Sequence, residues 1–327
     1  MENQMKNDRR EFLKTSGRFG VVSTFFGLNS LHVFGADSKQ SKSEYSNNEV
    51  NSMPSQNPFL KLNNGIQMPF IGLGTYELRG KSCIKAMQDA LKVGYRLFDT
   101  AQMYENEKEV GIGINTGLKT QNISRKDIFV TTKLSNDMDY KETKKQIDIR
   151  LKNLNLEYID LLLLHREFDN SEAMWKAMQE AYKMGKIKSL GLSNFSQEKF
   201  LSFIKSCEIQ PVLNQLETHV FFQRNKYQKI LNENHVVLQA WSPFSKGKND
   251  FFSNKTLLDI GKKYNKTPAQ VGLRYLIERN ISVVPKTSNI DRMKENIAIF
   301  DFKLDSKDLS VITNLDTQKS SFGWFKG

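Results

Sequence analysis

Three things that mark whole classes of protein are scarce in this chain: cysteine, histidine and unbroken apolar sequence. Two cysteines among 327 residues, Cys83 and Cys207, cannot make a disulfide framework or a zinc motif. Each falls inside a helical pattern, Ser82 to Val93 and Gln197 to Cys207, where a thiol serves as a small buried apolar group. Beyond the first 36 residues the histidines are His165, His219 and His235, and no spacing among them suits a metal, so a metal-dependent hydrolase is disfavoured. No apolar run is long enough to span a bilayer. Lys and Arg outnumber Asp and Glu by 48 to 36, giving +12, yet no block of five or six like charges occurs. Without a basic stripe interleaved with aromatics, the excess reads as a solvated surface and nucleic-acid binding is not expected. A glycine-rich phosphate loop is missing too: Gly72-Leu73-Gly74 is followed by Thr75-Tyr76-Glu77, with no third glycine.

The first 36 residues differ from the rest. Asp8-Arg9-Arg10-Glu11-Phe12-Leu13-Lys14 precedes a modestly apolar stretch from Phe19 to Phe34 that is broken by Ser23, Thr24, Gly27, Asn29, Ser30 and His32. The pattern resembles a twin-arginine export signal, with cleavage near Gly35 or Ala36. It predicts transfer by the twin-arginine (Tat) machinery to the periplasm, with no stable membrane anchor. Residues 37–57, rich in Ser, Asn, Gln and Lys, cannot bury a core and read as a flexible linker. A folded domain is expected over 58–327.

That domain opens on Phe59 to Met68, alternating apolar and polar residues around Asn64-Gly65, which predicts a hairpin. Eight strand-like runs follow, separated by segments of helical character. They are Phe70 to Thr75, Leu97 to Ala101, Ile128 to Lys133, Ile159 to His165, Ser189 to Ser193, Val212 to Leu216, Val236 to Trp241 and Ile281 to Pro285. Starts such as Ser196-Gln197-Glu198 and Thr267-Pro268 read as helix caps. Alternation of this kind implies parallel strands and right-handed crossovers. The fold class is therefore α/β, a (β/α)8 TIM barrel with a short N-terminal β-hairpin. An open doubly wound sheet is the alternative, and it lacks its phosphate loop.

Asp99, Lys133 and His165 close or lie just past the ends of apolar runs, where a parallel barrel displays its chemistry, and Tyr104 lies in the loop after the first of them. A lysine and an aspartate at strand ends are costly to bury unless paired. A phenol titrates near pH 10, too high for an acid at neutral pH, and an adjacent ammonium is expected to lower it. Tyr104 is thus a candidate proton donor to a carbonyl oxygen, with Lys133 assisting, Asp99 holding Lys133 charged and His165 orienting the oxygen.

From Phe59 to Phe325 the chain resembles the aldo-keto reductases. The resemblance rests on Gly94-Tyr95-Arg96-Leu97-Phe98-Asp99-Thr100-Ala101 with Tyr104-Glu105-Asn106-Glu107, Gly191-Leu192-Ser193-Asn194-Phe195, Asn214-Gln215 and Val284-Pro285-Lys286-Thr287-Ser288. It implies that Asp99, Tyr104, Lys133 and His165 form the family's catalytic tetrad. It also implies an NADP(H)-dependent oxidoreductase that reduces small aldehydes or ketones, ordinarily as a monomer, with the cofactor held across the barrel mouth. Ser193, Asn194 and Gln215 match the positions that hold the nicotinamide carboxamide, and Trp241 the aromatic under the ring. Lys286, Thr287, Ser288 and Arg292 match the 2′-phosphate cluster, Glu295 and Asn296 the adenine end. Gly74, Thr75, Asp99 and Ser242 complete the cofactor-binding positions. Export of such a protein calls for tight cofactor binding. Two departures touch the pocket walls: Arg166-Glu167-Phe168 follows His165, and Val220 follows His219. Trp324, Phe325, Tyr76 and Phe195 are the expected apolar walls. Tyr104 and Lys108 also stand at the spacing of a short-chain dehydrogenase, without its nucleotide loop. A non-catalytic NADP(H)-binding module on the same barrel is the remaining alternative.

Overall fold

Asn64 and Gly65 form the expected tight turn, with Gly65 at φ +85°, a conformation that costs a residue with a side chain. The turn joins β1 (Phe59–Lys61) to β2 (Gln67–Pro69) in an antiparallel hairpin, Leu60 opposite Met68. The computed structural model describes residues 58–323. The export segment, the linker over 37–57, and Trp324 and Phe325 lie outside the described residues.

Eight parallel strands follow: β3 (Leu73–Gly74), β4 (Leu97–Asp99), β5 (Phe129–Leu134), β6 (Leu161–Leu164), β7 (Leu190–Ser193), β8 (Leu213–Glu217), β9 (Val237–Trp241) and β10 (Ser282–Val283). Each lies within or across one of the eight apolar runs, and the spatial order follows the chain order. Bridges from Ile71 to Val283 and from Gly74 to Lys286 join the first strand region to the last and close the barrel. The Gly72 and Gly74 amides donate to the Val283 and Pro285 carbonyls at 2.9 and 3.0 Å across that seam. Closure rules out the open sheet.

The hairpin corks the end where the strands begin. Asn64 Nδ2 donates to the Lys188 carbonyl and to Ser189 Oγ, and Asn63 Nδ2 to the Pro211 carbonyl, all just ahead of β7 and β8. Leu62 and Met68 pack beneath the barrel with Leu97, Phe129, Leu161, Leu163, Val212, Leu213 and Val284. A second, larger core lies between sheet and helices.

Helix starts agree with the caps read from sequence. Ser196 accepts from the Lys199 amide ahead of Gln197–Phe203, and Thr267 and Gln270 form a reciprocal capping box with Pro268 in the first turn of Pro268–Glu278. Cys83 is buried in the helix Gly80–Val93, while the helix expected to run to Cys207 ends at Phe203 and tightens into a 3-10 turn over Ile204–Ser206. Burial pushes both thiols up to about 12, so neither is reactive at neutral pH. The helices Glu107–Gln121 and Tyr140–Leu154 meet backbone to backbone: a Cβ on Gly111 would stand 2.2 Å from the Leu154 carbonyl oxygen. No helix among the described residues is long and apolar enough to cross a membrane.

Candidate active site

Strand alternation places Thr131 and Lys133 inside the barrel and sends Thr132 outward to the helix layer, where its hydroxyl donates to Glu107 Oε1 at 2.7 Å. Lys133, fully buried, donates from Nζ to Asp99 Oδ1 at 2.6 Å and to the Thr100 carbonyl at 2.9 Å. Asp99 Oδ2 accepts from Gln215 Nε2 at 2.8 Å, so both carboxylate oxygens are engaged. A polar column continues down the barrel: Gln215 Nε2 also donates to Gln239 Oε1, and Gln239 Nε2 to Ser282 Oγ. Gln239 was missed in the sequence reading because it sits inside an apolar run, yet its parity with Trp241 marks an inward position.

Tyr104 ends the 3-10 turn Gln102–Tyr104 that follows β4. Its ring lies 5.1 Å from Lys133 Nζ, 5.8 Å from the His165 ring and 5.1 Å from Tyr76. The four residues singled out from sequence are therefore brought together at the ends of three strands and one loop. The turn is held from outside by Asn106, whose amide donates to the Thr75 and Leu78 carbonyls and whose Oδ1 accepts from Thr100 Oγ1. Thr75 in turn donates from Oγ1 to the Asp99 carbonyl at 3.0 Å.

One expectation fails. The Tyr104 phenol lies well above its ordinary value, because burial disfavours the phenolate most and Asp99 and Tyr76 add to the cost. Lys133 does not overturn this, since Asp99 already neutralises it at 2.6 Å. Lys133 itself is lowered by burial, with Asp99 pulling the other way. His165 is held well below the usual imidazole range, first by burial and then by the charges of Lys133 and Arg166, so its ring is neutral.

The residues matched to a nicotinamide converge beside the same column. Ser193 and Gln215 are register partners, and Ser193 Oγ donates to the Gln215 carbonyl. Asn194, at φ +58°, donates to the His165 carbonyl and accepts from Trp241 Nε1 at 2.8 Å. Ser242 takes a positive φ where the chain leaves β9. Gly74 lies against β10, where a Cβ would meet the Val284 carbonyl at 2.7 Å. Across the mouth, Lys286, Ser288 and Arg292 are exposed at the start of the helix Ile290–Ile297, with Thr287 buried among them. Neither Lys286 nor Arg292 has an ion-pair partner among the described residues. Glu295 accepts from Thr267 Oγ1, and Asn296 is buried.

The walls differ from expectation. Tyr76 stands at the mouth, but Phe195 is buried with its ring 5.2 Å from Phe203, so it belongs to the core. Phe322 takes a place that the sequence reading did not assign, its ring 5.3 Å from Trp241. The tail is tied there by the Ser321 amide donating to Glu217 Oε1 at 2.7 Å and by Ser245 Oγ donating to Ser321 Oγ at 2.6 Å.

Residues 70–317 match the model of the Aldo/keto reductase family. Methylglyoxal reductase DkgA of Escherichia coli (strain K12) is 37% identical over 263 residues, 80% of this chain and 94% of that protein. Glyoxal reductase of Bacillus subtilis (strain 168) is 36% identical over 260 residues, covering 79% and 92%. Among solved structures, MGS-M4, an aldo-keto reductase enzyme from a Medee basin deep-sea metagenome library, superposes with a TM-score of 0.76 at 40% identity, covering 80% of this chain and 96% of that one.

Proposed function

This chain belongs to the aldo/keto reductase family, and from that membership and the geometry of the barrel mouth we propose that it is an NADPH-dependent reductase of small aldehydes and ketones. The observation that carries the reading is the meeting of Tyr104, His165 and the Lys133–Asp99 pair at one mouth. The relatives named for methylglyoxal and glyoxal make small dicarbonyls the first substrates to try.

The residues fit a nicotinamide cofactor. Ser193, Asn194 and Gln215 offer hydroxyl and amide groups beside the Trp241 indole, and Lys286 and Arg292 offer cations without carboxylate partners at a helix start, as a 2′-phosphate needs. Bound there, the cofactor supplies a hydride to the carbonyl carbon. Tyr104 gives its phenolic proton to the oxygen. The raised value keeps that proton in place through neutral pH, and the Lys133 ammonium 5.1 Å from the ring offsets part of the charge left behind. Neutral His165 orients the oxygen through a ring N–H.

Arg292→Ala is expected to raise the Kd for NADPH about tenfold, a loss of about 1.4 kcal/mol, and to leave NADH binding unchanged. Titration of both cofactors checks this; equal losses for the two would remove Arg292 from the phosphate site.

Export by the twin-arginine route is proposed on Arg9-Arg10 and the weakly apolar stretch that follows. Changing Arg9 and Arg10 to Lys should trap the protein in the cytoplasm on fractionation. Unchanged distribution of both forms would sink the assignment.

A further inference from the structure

Beyond the four residues, the site contains a contact that no part of the reductase reading requires. Ser135 is the first residue after β5, and β5 pairs with β6 in the register Lys133 to Leu163 and Leu134 to Leu164. Continued one step, that register sets Ser135 beside His165, and the His165 amide donates to the Leu134 carbonyl at 2.9 Å. Ser135 Oγ lies 2.7 Å from His165 Nδ1.

The direction of that hydrogen bond follows from counting protons. A hydroxyl has one proton to give and two lone pairs to receive. The Met103 amide, which can only donate, points at Ser135 Oγ at 3.3 Å and uses one lone pair. Among the described residues the one acceptor facing the hydroxyl proton is His165 Nδ1. The hydroxyl donates, Nδ1 receives, and a neutral ring then carries its single proton on Nε2. That nitrogen makes no hydrogen bond among the described residues.

We propose that Ser135 is a positioning residue: its hydroxyl holds His165 as the Nε2–H tautomer, so that the ring presents a donor, not an acceptor, to the substrate oxygen. The proposal deepens the reductase reading and rests on it for its consequence. Neutrality of His165 matters here, because a doubly protonated ring would need no such choice. Ser135 also ties the imidazole to the turn that carries the phenol. Its amide donates to Gln102 Oε1 at 2.9 Å, and its Oγ receives from the residue just before Tyr104. Ser135→Ala keeps the backbone bond to Gln102 and removes the hydroxyl alone.

The test is a long-range 1H–15N spectrum of the full chain labelled at histidine, with the His165 signals identified by their loss in His165→Gln. The wild type is expected to show Nε2–H, Ser135→Ala a mixture of tautomers, and Ser135→Thr the wild-type pattern. With methylglyoxal and NADPH, the alanine variant should lose about tenfold in kcat with KM little changed, and the threonine variant should recover it. Nδ1–H in the wild type, or Nε2–H retained in Ser135→Ala, overturns the proposal. If the alanine variant does not fold, the wild-type and threonine spectra still decide, since Nδ1–H in either is fatal. The spectra need neither cofactor nor turnover. A tautomer shift in a protein that reduces no carbonyl would therefore sink the reductase reading and leave the role of Ser135 standing.

Discussion

Tyr104→Phe is expected to lower kcat about 10³-fold, the usual worth of a positioned general acid. NADPH binding and thermal stability should stay close to wild type. The phenolic oxygen makes no hydrogen bond among the described residues, while the ring contacts with Tyr76, Lys133 and His165 involve the carbon frame that phenylalanine keeps. The barrier rises by about 4 kcal/mol because the remaining groups cannot replace the phenol as an acid. The neutral His165 imidazole hydrogen-bonds the oxygen but is too weak an acid to give up its N–H proton. Lys133 is spent on Asp99 and the Thr100 carbonyl. NADPH oxidation with methylglyoxal and with glyoxal, beside cofactor titration, measures both halves. A variant that retains a tenth of the activity would show that the proton comes from elsewhere. A loss of NADPH affinity equal to the loss of rate would place Tyr104 in cofactor binding.

Glu107→Ala should destabilise the fold by about 3–5 kcal/mol, without touching any group in the proposed chemistry. Glu107 is 3% exposed, pairs with the Arg150 guanidinium, Nη1 at 3.0 Å, and accepts from Thr132 Oγ1 at 2.7 Å and Asn153 Nδ2 at 3.4 Å. Burial nonetheless raises its carboxyl above the ordinary value, outweighing Arg150, Thr132 and Asn153. A raised carboxyl means the folded state keeps the proton longer than the unfolded chain does. Ionisation therefore costs stability as pH rises above about 4.5, the ordinary glutamate range. The pair is thus no great asset in itself, and the large loss comes from removing one half. Arg150 would then be left buried with its charge uncompensated and its Nε already without a partner. The double change Glu107→Met, Arg150→Met should recover most of the loss, since well-packed apolar residues replace buried pairs at little cost. Thermal melts of the three proteins decide it, with the single variant expected about 10 °C below wild type. A drop of under 3 °C would mean that water reaches Arg150.

What the sequence made legible follows from where charge sits against apolar runs. Asp99, Lys133 and His165 stand at or just past the ends of such runs, and barrel topology alone carries strand ends to one mouth. The hairpin and the caps at Ser196 and Thr267 were equally local, each decided by a few residues. The Tyr104 titration was not legible, because its sign depends on whether Asp99 neutralises Lys133 before the phenol feels it. Ser135 was missed because its partnership with His165 exists only once the β5 to β6 register is known. Phe195 is expected from sequence among the apolar pocket walls, yet its ring packs on Phe203. Asn106 and Glu107 had entered as parts of a matching motif; their buried bonds give that motif a structural reason.

Both oxygens of Asp99 are occupied, one by Lys133 and the other by Gln215, which is itself anchored to Gln239 and Ser282. Such a carboxylate has no freedom to turn toward a guest. The charges at the mouth thus keep one orientation whatever molecule arrives, and little reorganisation is left for the moment of reaction. Phe322, by contrast, stands on the tail and meets the site at its rim, against the Trp241 ring. On the proposed reading, choice of substrate can therefore be altered by exchanging Phe322 while the Asp99, Lys133 and Gln215 lattice is left as it is.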